Sequence, residues 1–375
     1  MTFPRLTIGL VRRGHSETGG AETYLKRLAR GLTKAGHTTR LFTDAAWPTR
    51  EWPWGPITRL RGETAQRFAD ELVRIKPKNQ CDLLFSLERV WSCDVYRAGD
   101  GIHKAWIRRR VAVAWWPQRW LVAFKGKHRE LLELEASLFR GGAGHVVANS
   151  QLVKNEAEEC YSYPADRITV VPNGVPVADF CPDPEARRTR RESLDLGLDA
   201  IAVLFVGSGG ARKGLHHAVK AIRSLGKNFR LLVAGRVRQR PGRGRFVHHL
   251  GPVRDLAALY SAADIFLLPT LYDPFSNACL EALAAGLPVV TTQANGFSEI
   301  MQNEVHGTIL ETPVDLGKLR AALSSWADPE RRKIARPKIL ERASHFDISV
   351  NVEQTLAVLT QAARAEAVSG KMRKT

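Results

Sequence analysis

The sequence is short of most features that would mark a secreted, membrane-spanning or metal-built chain. Five cysteines stand among 375 residues, at 81, 93, 160, 181 and 279. Their number is odd, and no Cys-x-x-Cys or His/Cys cluster occurs, so neither a disulfide framework nor a zinc site is expected. Reduced thiols in a cytosolic protein are the simplest reading. No apolar run reaches the ~18 residues needed to cross a bilayer. The opening MTFPRLTIGLV has too short an apolar core for a signal peptide and reads as a first strand. Internal repeats and low-complexity tracts are missing as well. Acidic residues are scarce: 38 Asp and Glu face 56 Lys and Arg, a formal net charge of +18. Such an excess points to a polyanion, whether nucleic acid, an anionic membrane face or a phosphorylated substrate.

What is present is ordinary globular material, 44% apolar and 25% charged. The length suggests two domains. Short β-branched and apolar runs at 6–11, 39–43, 81–87, 145–148 and 168–171 alternate with helical stretches such as 21–34, where Tyr24, Leu25, Leu28 and Leu32 share a face. After Pro172-Asn173-Gly174 the pattern restarts with runs at 201–206, 230–234, 265–268 and 289–292 and helices near 215–225 and 277–285. Continuous apolar strands separated by helices argue for parallel sheets covered on both faces. The expected fold class is therefore α/β with two Rossmann-like, doubly wound domains, 1–175 for the acceptor and 176–345 for the donor, and a last helix within 346–375 that crosses back onto the first domain. The join falls between Pro172 and Leu198, a proline- and charge-rich stretch. Open α/β sheets bind ligands beyond the C-terminal ends of their strands, so a cleft between the two sheets is the expected site.

Three loops carry candidate chemistry. His15-Ser-Glu-Thr-Gly19-Gly20-Ala-Glu22 follows a strand and opens a helix. Its glycines allow close backbone approach and the helix start attracts anions, although a plain tight turn would look the same. Gly207-Ser-Gly-Gly210-Ala-Arg212-Lys213-Gly214 lacks the Gly-Lys-Ser/Thr ending of a Walker A loop and the glycine spacing of a dinucleotide fingerprint. Cations at a helix start do not serve the helix dipole. Arg212 and Lys213 make sense if a diphosphate sits on them, and otherwise as solvated surface cations. In the third segment, 272–288, Ser276 and Asn277 are good N-cap residues and leave backbone N–H groups free at the helix start. Glu281 lies one turn on among Leu280, Ala282 and Leu283. Its carboxylate needs hydrogen-bond partners there, which sugar hydroxyls would supply, unless it is simply exposed.

Taken in order, Gly-Gly after the first strand, Asn173-Gly174, the Arg-Lys-Gly loop, the Asp273–Glu281 spacing, and Gly296 with Glu299 resemble the retaining GT-B glycosyltransferases of family 4. That family's signature is two glutamates separated by seven residues. Here the first is Asp273, shorter by one C–C bond or ~1.5 Å, and the second is Glu281. The resemblance implies that Glu281 holds the ribose of a nucleotide sugar and that Asp273 reaches the transferred sugar. It places the backbone of Ser276, Asn277, Ala278 and Cys279 around the sugar diphosphate, with Arg212 and Lys213 neutralising the leaving diphosphate. Gly19, Gly20 and Glu22 would complete the donor site. No Asp-x-Asp metal motif occurs, and neither metal nor cofactor is expected.

The stretch 93–103, with Asp100 and His103, leads into 104–130, which carries eight Lys/Arg against one acid and four of the nine tryptophans. This combination resembles the lipopolysaccharide core glucosyltransferases. The resemblance implies that Asp100 is a catalytic carboxylate or acceptor binder and that His103 touches acceptor or donor; on residue chemistry alone they could be an N-cap and a satisfied polar contact. Tryptophan mixed with Lys/Arg suits a headgroup-level surface. Trp106, Arg108, Arg109, Arg110, Trp115, Trp116, Arg119 and Trp120 are thus expected to meet an anionic membrane, each cation adding about 1 kcal/mol. The expected activity is transfer of a hexose from a nucleotide sugar, UDP-glucose first, to a lipid-anchored glycan at the inner face of the cell membrane. A family 4 enzyme using GDP-mannose on capsule or a soluble acceptor is the alternative. A non-enzymatic nucleic-acid binder is disfavoured, because the basic residues form no recognisable module, and no nucleic-acid partner is expected.

Overall fold

In the computed structural model, residues 5–15, 20–113, 126–197, 199–208, 210–237, 241–242, 244 and 246–372 are described. They form two compact units, one of Met1–Pro172 with Asn351–Thr375 and one of Asn173–Val350.

The first unit is built on a seven-stranded parallel sheet. Its strands are β1 Thr7–Val11, β2 Thr38–Thr43, β3 Ile57–Arg59, β4 Leu83–Ser86, β5 Cys93–Arg97, β6 Ala143–Ala148 and β7 Ile168–Val170, in the order β3-β2-β1-β4-β5-β6-β7. The interior strands are buried along nearly their whole length, as in β4, where all four residues are buried. This explains the near-continuous apolar character of β1 and β4. The helix Gly20–Lys34 follows β1 and buries Tyr24, Leu25, Leu28 and Leu32, the face expected from sequence. The C-terminal helix Ile348–Met372 contributes most of its length to this unit, with Val352 against Gly31.

The second unit repeats the plan with six parallel strands. They are β8 Ile201–Val206, β9 Phe229–Ala234, β10 Val247–Gly251, β11 Ile265–Leu268, β12 Val289–Thr292 and β13 Gly307–Leu310, in the order β10-β9-β8-β11-β12-β13. Its core packs Val203, Leu204, Phe205, Phe266 and Leu267 against Leu215, Ile222, Leu280 and Leu283 of the helices. Full burial of each large side chain contributes about 1.5–3 kcal/mol. The charged stretch 182–192, expected as part of the join, belongs to this unit as the helix Pro184–Ser193. Arg187 and Arg191 of that helix reach the buried Asp264 at 2.7 and 3.2 Å.

Both sheets change direction of winding next to their first strand, between β1 and β4 and between β8 and β11. The C-terminal ends of those strand pairs are where an open α/β sheet receives ligands. Among the described residues, no helix is long and apolar enough to cross a membrane.

Candidate active site

In the second unit the loop after β8 is latched onto the end of β11. The Arg212 carbonyl accepts from the Leu271 N–H at 2.8 Å and from Thr270 Oγ1 at 2.9 Å. Gly214 makes this possible. It has φ +76°, and a Cβ there would lie 1.8 Å from the Pro269 oxygen. Lys213 folds over Gly207, where a Cβ would come within 2.7 Å of its Cδ. The lysine thereby brings Nζ to 2.9 Å from Asp273 Oδ2, in a pair whose side chains are 14% and 7% exposed. The ammonium stands off the hydrogen-bonding direction, so Oδ2 takes no hydrogen bond among the described residues. The Arg212 side chain is half-buried and has no partner among the described residues.

Asp273 is fixed through its backbone, donating to Ala294 O and accepting from the Gly296 N–H, both at 2.9 Å. Between them the fully buried Asn295 accepts from Ser276 N and Phe297 N at 3.3 and 3.2 Å and donates to Thr291 Oγ1 at 3.0 Å. The helix Asn277–Ala284 starts from this brace. Ser276 caps it by accepting from the Cys279 N–H at 3.4 Å. The Ser276 and Cys279 N–H groups are therefore used within the protein, and those of Asn277 and Ala278 point out of the first turn without a partner among the described residues. The Cys279 side chain is fully buried, and burial pushes its thiol up to about 12. Only its backbone can face a ligand.

Glu281 is half-buried and receives the Tyr260 hydroxyl on Oε2 at 3.0 Å. The sequence pointed to sugar hydroxyls or to simple exposure for this carboxylate; within the protein Tyr260 supplies one partner. Tyr260 comes from the helix Leu256–Ala262, and its ring is fully buried. The helix Leu215–Arg223 after Lys213 has no side-chain cap, in contrast to the helices capped by Ser150, Asp183, Asp255 and Asp315. Its amide end is thus left positive beside the two cations.

In the first unit the C-terminal ends of β1, β4 and β5 hold a different constellation. Arg12 reaches Glu22 at 3.1 Å, Glu88 at 3.5 Å and Asp100 at 3.6 Å. Burial opposes the Arg12 charge, but Glu88, Asp100 and Glu22 outweigh it and hold its pKa above the ordinary arginine value. Glu22 and Glu88 are buried, while the Asp100 side chain is 54% exposed. Arg12 and Glu88 carried no sequence signal, being ordinary charges just after strands. Gly20 opens the helix as expected, and Gly19 lies outside the described residues.

His103 begins the helix His103–Val113, whose first amides are taken by the fully buried Glu135. Glu135 accepts from His103 N at 2.6 Å, Lys104 N at 3.0 Å, Arg89 Nε at 3.0 Å and Tyr161 Oη at 2.8 Å. The His103 ring sits 3.0 Å from His128 Nδ1, and burial, with Arg89 nearby, holds its pKa down to about 4. The ring is a neutral hydrogen-bonding group at neutral pH. On the same helix Arg109 pairs with the buried Glu156 at 2.9 Å, Arg108 points at Cys160 Sγ at 3.6 Å, and Trp106 and Arg110 are half-buried. Trp115, Trp116, Arg119 and Trp120 lie outside the described residues. No group of three or more His, Cys, Asp or Glu that could hold a metal occurs among the described residues.

Comparison with known proteins gives these geometries a context. The model of the glycosyl transferases group 1 matches residues 200–328, and that of glycosyltransferase family 4 matches 18–179. The lipopolysaccharide glucosyltransferase WaaG of Escherichia coli is 23% identical over 81% of this chain and 85% of its own. A solved structure of WaaG superposes with a TM-score of 0.79 at 19% identity, over 94% of this chain and 99% of that one. The D-inositol 3-phosphate glycosyltransferase of Xylanimonas cellulosilytica is 27% identical over 81% of this chain and 82% of its own. The structure of Anabaena Alr3699/HepE in complex with UDP-glucose has a TM-score of 0.75 at 17% identity, over 95% of this chain and all of that one.

Proposed function

This chain belongs to glycosyltransferase family 4, has the GT-B fold and works from a nucleotide-sugar donor; from that premise we propose that it moves glucose from UDP-glucose, with retention, onto a lipid-anchored glycan of the lipopolysaccharide-core type. The observation that carries the donor half is the grouping at the ends of β8 and β11. Arg212 and the Lys213–Asp273 pair lie on the loops after β8 and β11, the open amides of Asn277 and Ala278 start the helix that follows, and Glu281 of that helix is held by Tyr260. The cations and amide dipoles take the diphosphate and stabilise the charge that grows as the glycosyl–phosphate bond breaks. Glu281 takes the ribose hydroxyls. Asp273 takes a hydroxyl of the sugar, with Lys213 held between it and the phosphate. The one thiol at this site, Cys279, is buried and protonated, which supports a front-face displacement in which the leaving diphosphate helps deprotonate the acceptor. Trapping of a glycosyl-enzyme adduct would sink that step.

On the acceptor side we assign Asp100 and, as a neutral hydrogen-bonding group, His103. The basic aromatic stretch from Trp106 to Trp120 would meet the anionic inner face of the cell membrane, to which the protein would attach peripherally from the cytoplasm. The likeness to WaaG supports a glycan acceptor. The higher identity to a D-inositol 3-phosphate glycosyltransferase supports a second reading, a soluble phosphorylated acceptor. The test is a donor screen that follows nucleoside diphosphate release with heptose-terminated lipopolysaccharide or inositol 3-phosphate as acceptor. Fastest turnover of UDP-glucose on the lipopolysaccharide is expected. Turnover only with inositol 3-phosphate, or only from GDP-mannose, would replace the first reading with the second.

A further inference from the structure

Asn173 is the first residue of the second unit. Its side chain is buried and is spent on the start of the helix Asn277–Ala284, 104 residues further along the chain. Asn173 Nδ2 donates to Asn277 Oδ1 at 2.6 Å and to Phe275 O at 3.4 Å. The second bond decides the direction of the first. A backbone carbonyl can only accept, so Asn173 must turn its NH2 group to the helix start, and Asn277 must answer with its oxygen. Phe275 is itself fixed: its buried ring stands edge-on to Phe297, 5.8 Å between centroids, and the next N–H, that of Ser276, donates to the buried Asn295 at 3.3 Å. With Oδ1 taken, Asn277 keeps Nδ2 as a donor without a partner among the described residues, on a half-buried side chain. Four residues earlier on the same loop, the buried Asp273 Oδ2 takes no hydrogen bond among the described residues. An unmet donor and an unmet acceptor thus stand close together in sequence, and a sugar phosphate brings both an oxyanion and hydroxyls.

We propose that Asn173 is a positioning residue that sets the Asn277 carboxamide with its NH2 group toward the ligand, as a further hydrogen-bond donor to the diphosphate of the nucleotide sugar. The inference rests on the donor-site reading above, in which the start of this helix receives that diphosphate. A donor to an ionised oxygen makes a hydrogen bond roughly twice as strong as one between neutral groups. Free to rotate, the carboxamide could turn its oxygen to the phosphate, where the two would repel. Asn173 removes that choice, and a side chain ordered in advance loses less freedom when the ligand arrives. The side chain of Asn277 then works beside the open backbone N–H groups of Asn277 and Ala278 without adding a charge.

The test titrates the parent, Asn173→Ala, Asn277→Ala, the double variant and Asn277→Asp with whichever of UDP, GDP and ADP the parent binds tightest, and with the matching nucleoside by competition. Asn277→Ala should weaken the diphosphate by about tenfold or more, the worth of one hydrogen bond to a charged oxygen, and leave the nucleoside unchanged. Glu281, which would hold the ribose, lies on the same helix, so a merely disturbed helix would weaken both ligands. Asn173→Ala should weaken the diphosphate by about threefold or more. The double variant should bind no worse than Asn277→Ala, because Asn173 acts only through that side chain. Asn277→Asp keeps the oxygen that Asn173 needs and adds a carboxylate in the first helical turn, so its urea midpoint should not fall, yet it should lose at least as much diphosphate affinity as Asn277→Ala. Full diphosphate affinity in Asn277→Ala, equal losses for diphosphate and nucleoside, or additive losses in the double variant overturns the proposal. Failure of the parent to bind any of the three diphosphates sinks instead the donor-site reading beneath it.

Discussion

Lys213→Ala offers the sharpest separation of folding from function at the donor site. It removes the cation that faces Asp273, a carboxylate only 7% exposed. Losing one partner of a buried pair costs about 3–5 kcal/mol. Lys213 keeps 14% exposure, so the lower end applies, about 3 kcal/mol. Asp273→Asn costs less, because the freed ammonium can turn to water on its flexible stem. The double variant leaves no stranded charge and should be more stable than Lys213→Ala alone, with a coupling of roughly 2 kcal/mol. Nucleotide binding should behave differently. A unit charge 4 Å from a phosphate at an effective dielectric of 20 is worth at most about 4 kcal/mol, so loss of Lys213 should weaken UDP by roughly 30- to 1,000-fold. The double variant should recover its urea midpoint and not its UDP affinity. Urea melts and isothermal titration on the four proteins read both quantities. Additive midpoints, or undiminished UDP affinity in Lys213→Ala, would refute the reasoning.

Glu135→Ala strands the Arg89 guanidinium, two backbone N–H groups and the Tyr161 hydroxyl, and should cost at least about 3 kcal/mol in a urea melt of the whole chain. His103 should give the protein an acid-sensitive slope. The unfolded ring takes up its proton near 6.5 and the folded ring only near about 4, so its contribution is complete above 6.5 and is lost as pH falls toward 4; His103→Gln should flatten stability against pH in that window. Flotation on phosphatidylglycerol vesicles should weaken with salt and with Arg108→Ala and Arg110→Ala. Arg109→Ala should instead lower the melting temperature, because its partner Glu156 is buried, and an equal loss of flotation from all three would contradict the Glu156 assignment.

Most interior strands were legible because burial on both faces writes an unbroken apolar run, as in Ile201–Val206 and Ile265–Leu268; the interior strand Cys93–Arg97 was not, because Asp94 and Arg97 break its run. The edge strands Ile57–Arg59, Val247–Gly251 and Gly307–Leu310 were not. They are short and half-buried, and one reads Val-His-His-Leu-Gly. At the candidate site, Arg212, Lys213, Ser276 and Glu281 stood out because loop and helix-start chemistry is local in sequence, and Asp273 stood out only through the resemblance to family 4. Their supports did not stand out. Tyr260 lies 21 residues from Glu281 and Glu88 lies 76 from Arg12. Such pairings exist only once the sheet brings strand ends together. Asn295 likewise looked like a loop polar residue, and only its full burial between β12 and the Asn277–Ala284 helix shows it to be a brace.

The most direct measurement is a titration of the chain with UDP, GDP and ADP, followed by melting temperature, beside the Glu281→Ala variant. A hundredfold excess over Kd stabilises by about 2.7 kcal/mol, which for a unit of this size is a rise of roughly 5–10 °C. UDP should produce that rise in the parent and little or none in Glu281→Ala. No rise with any of the three nucleotides, or an equal rise in the variant, would contradict a donor site built on Arg212, Lys213 and Glu281.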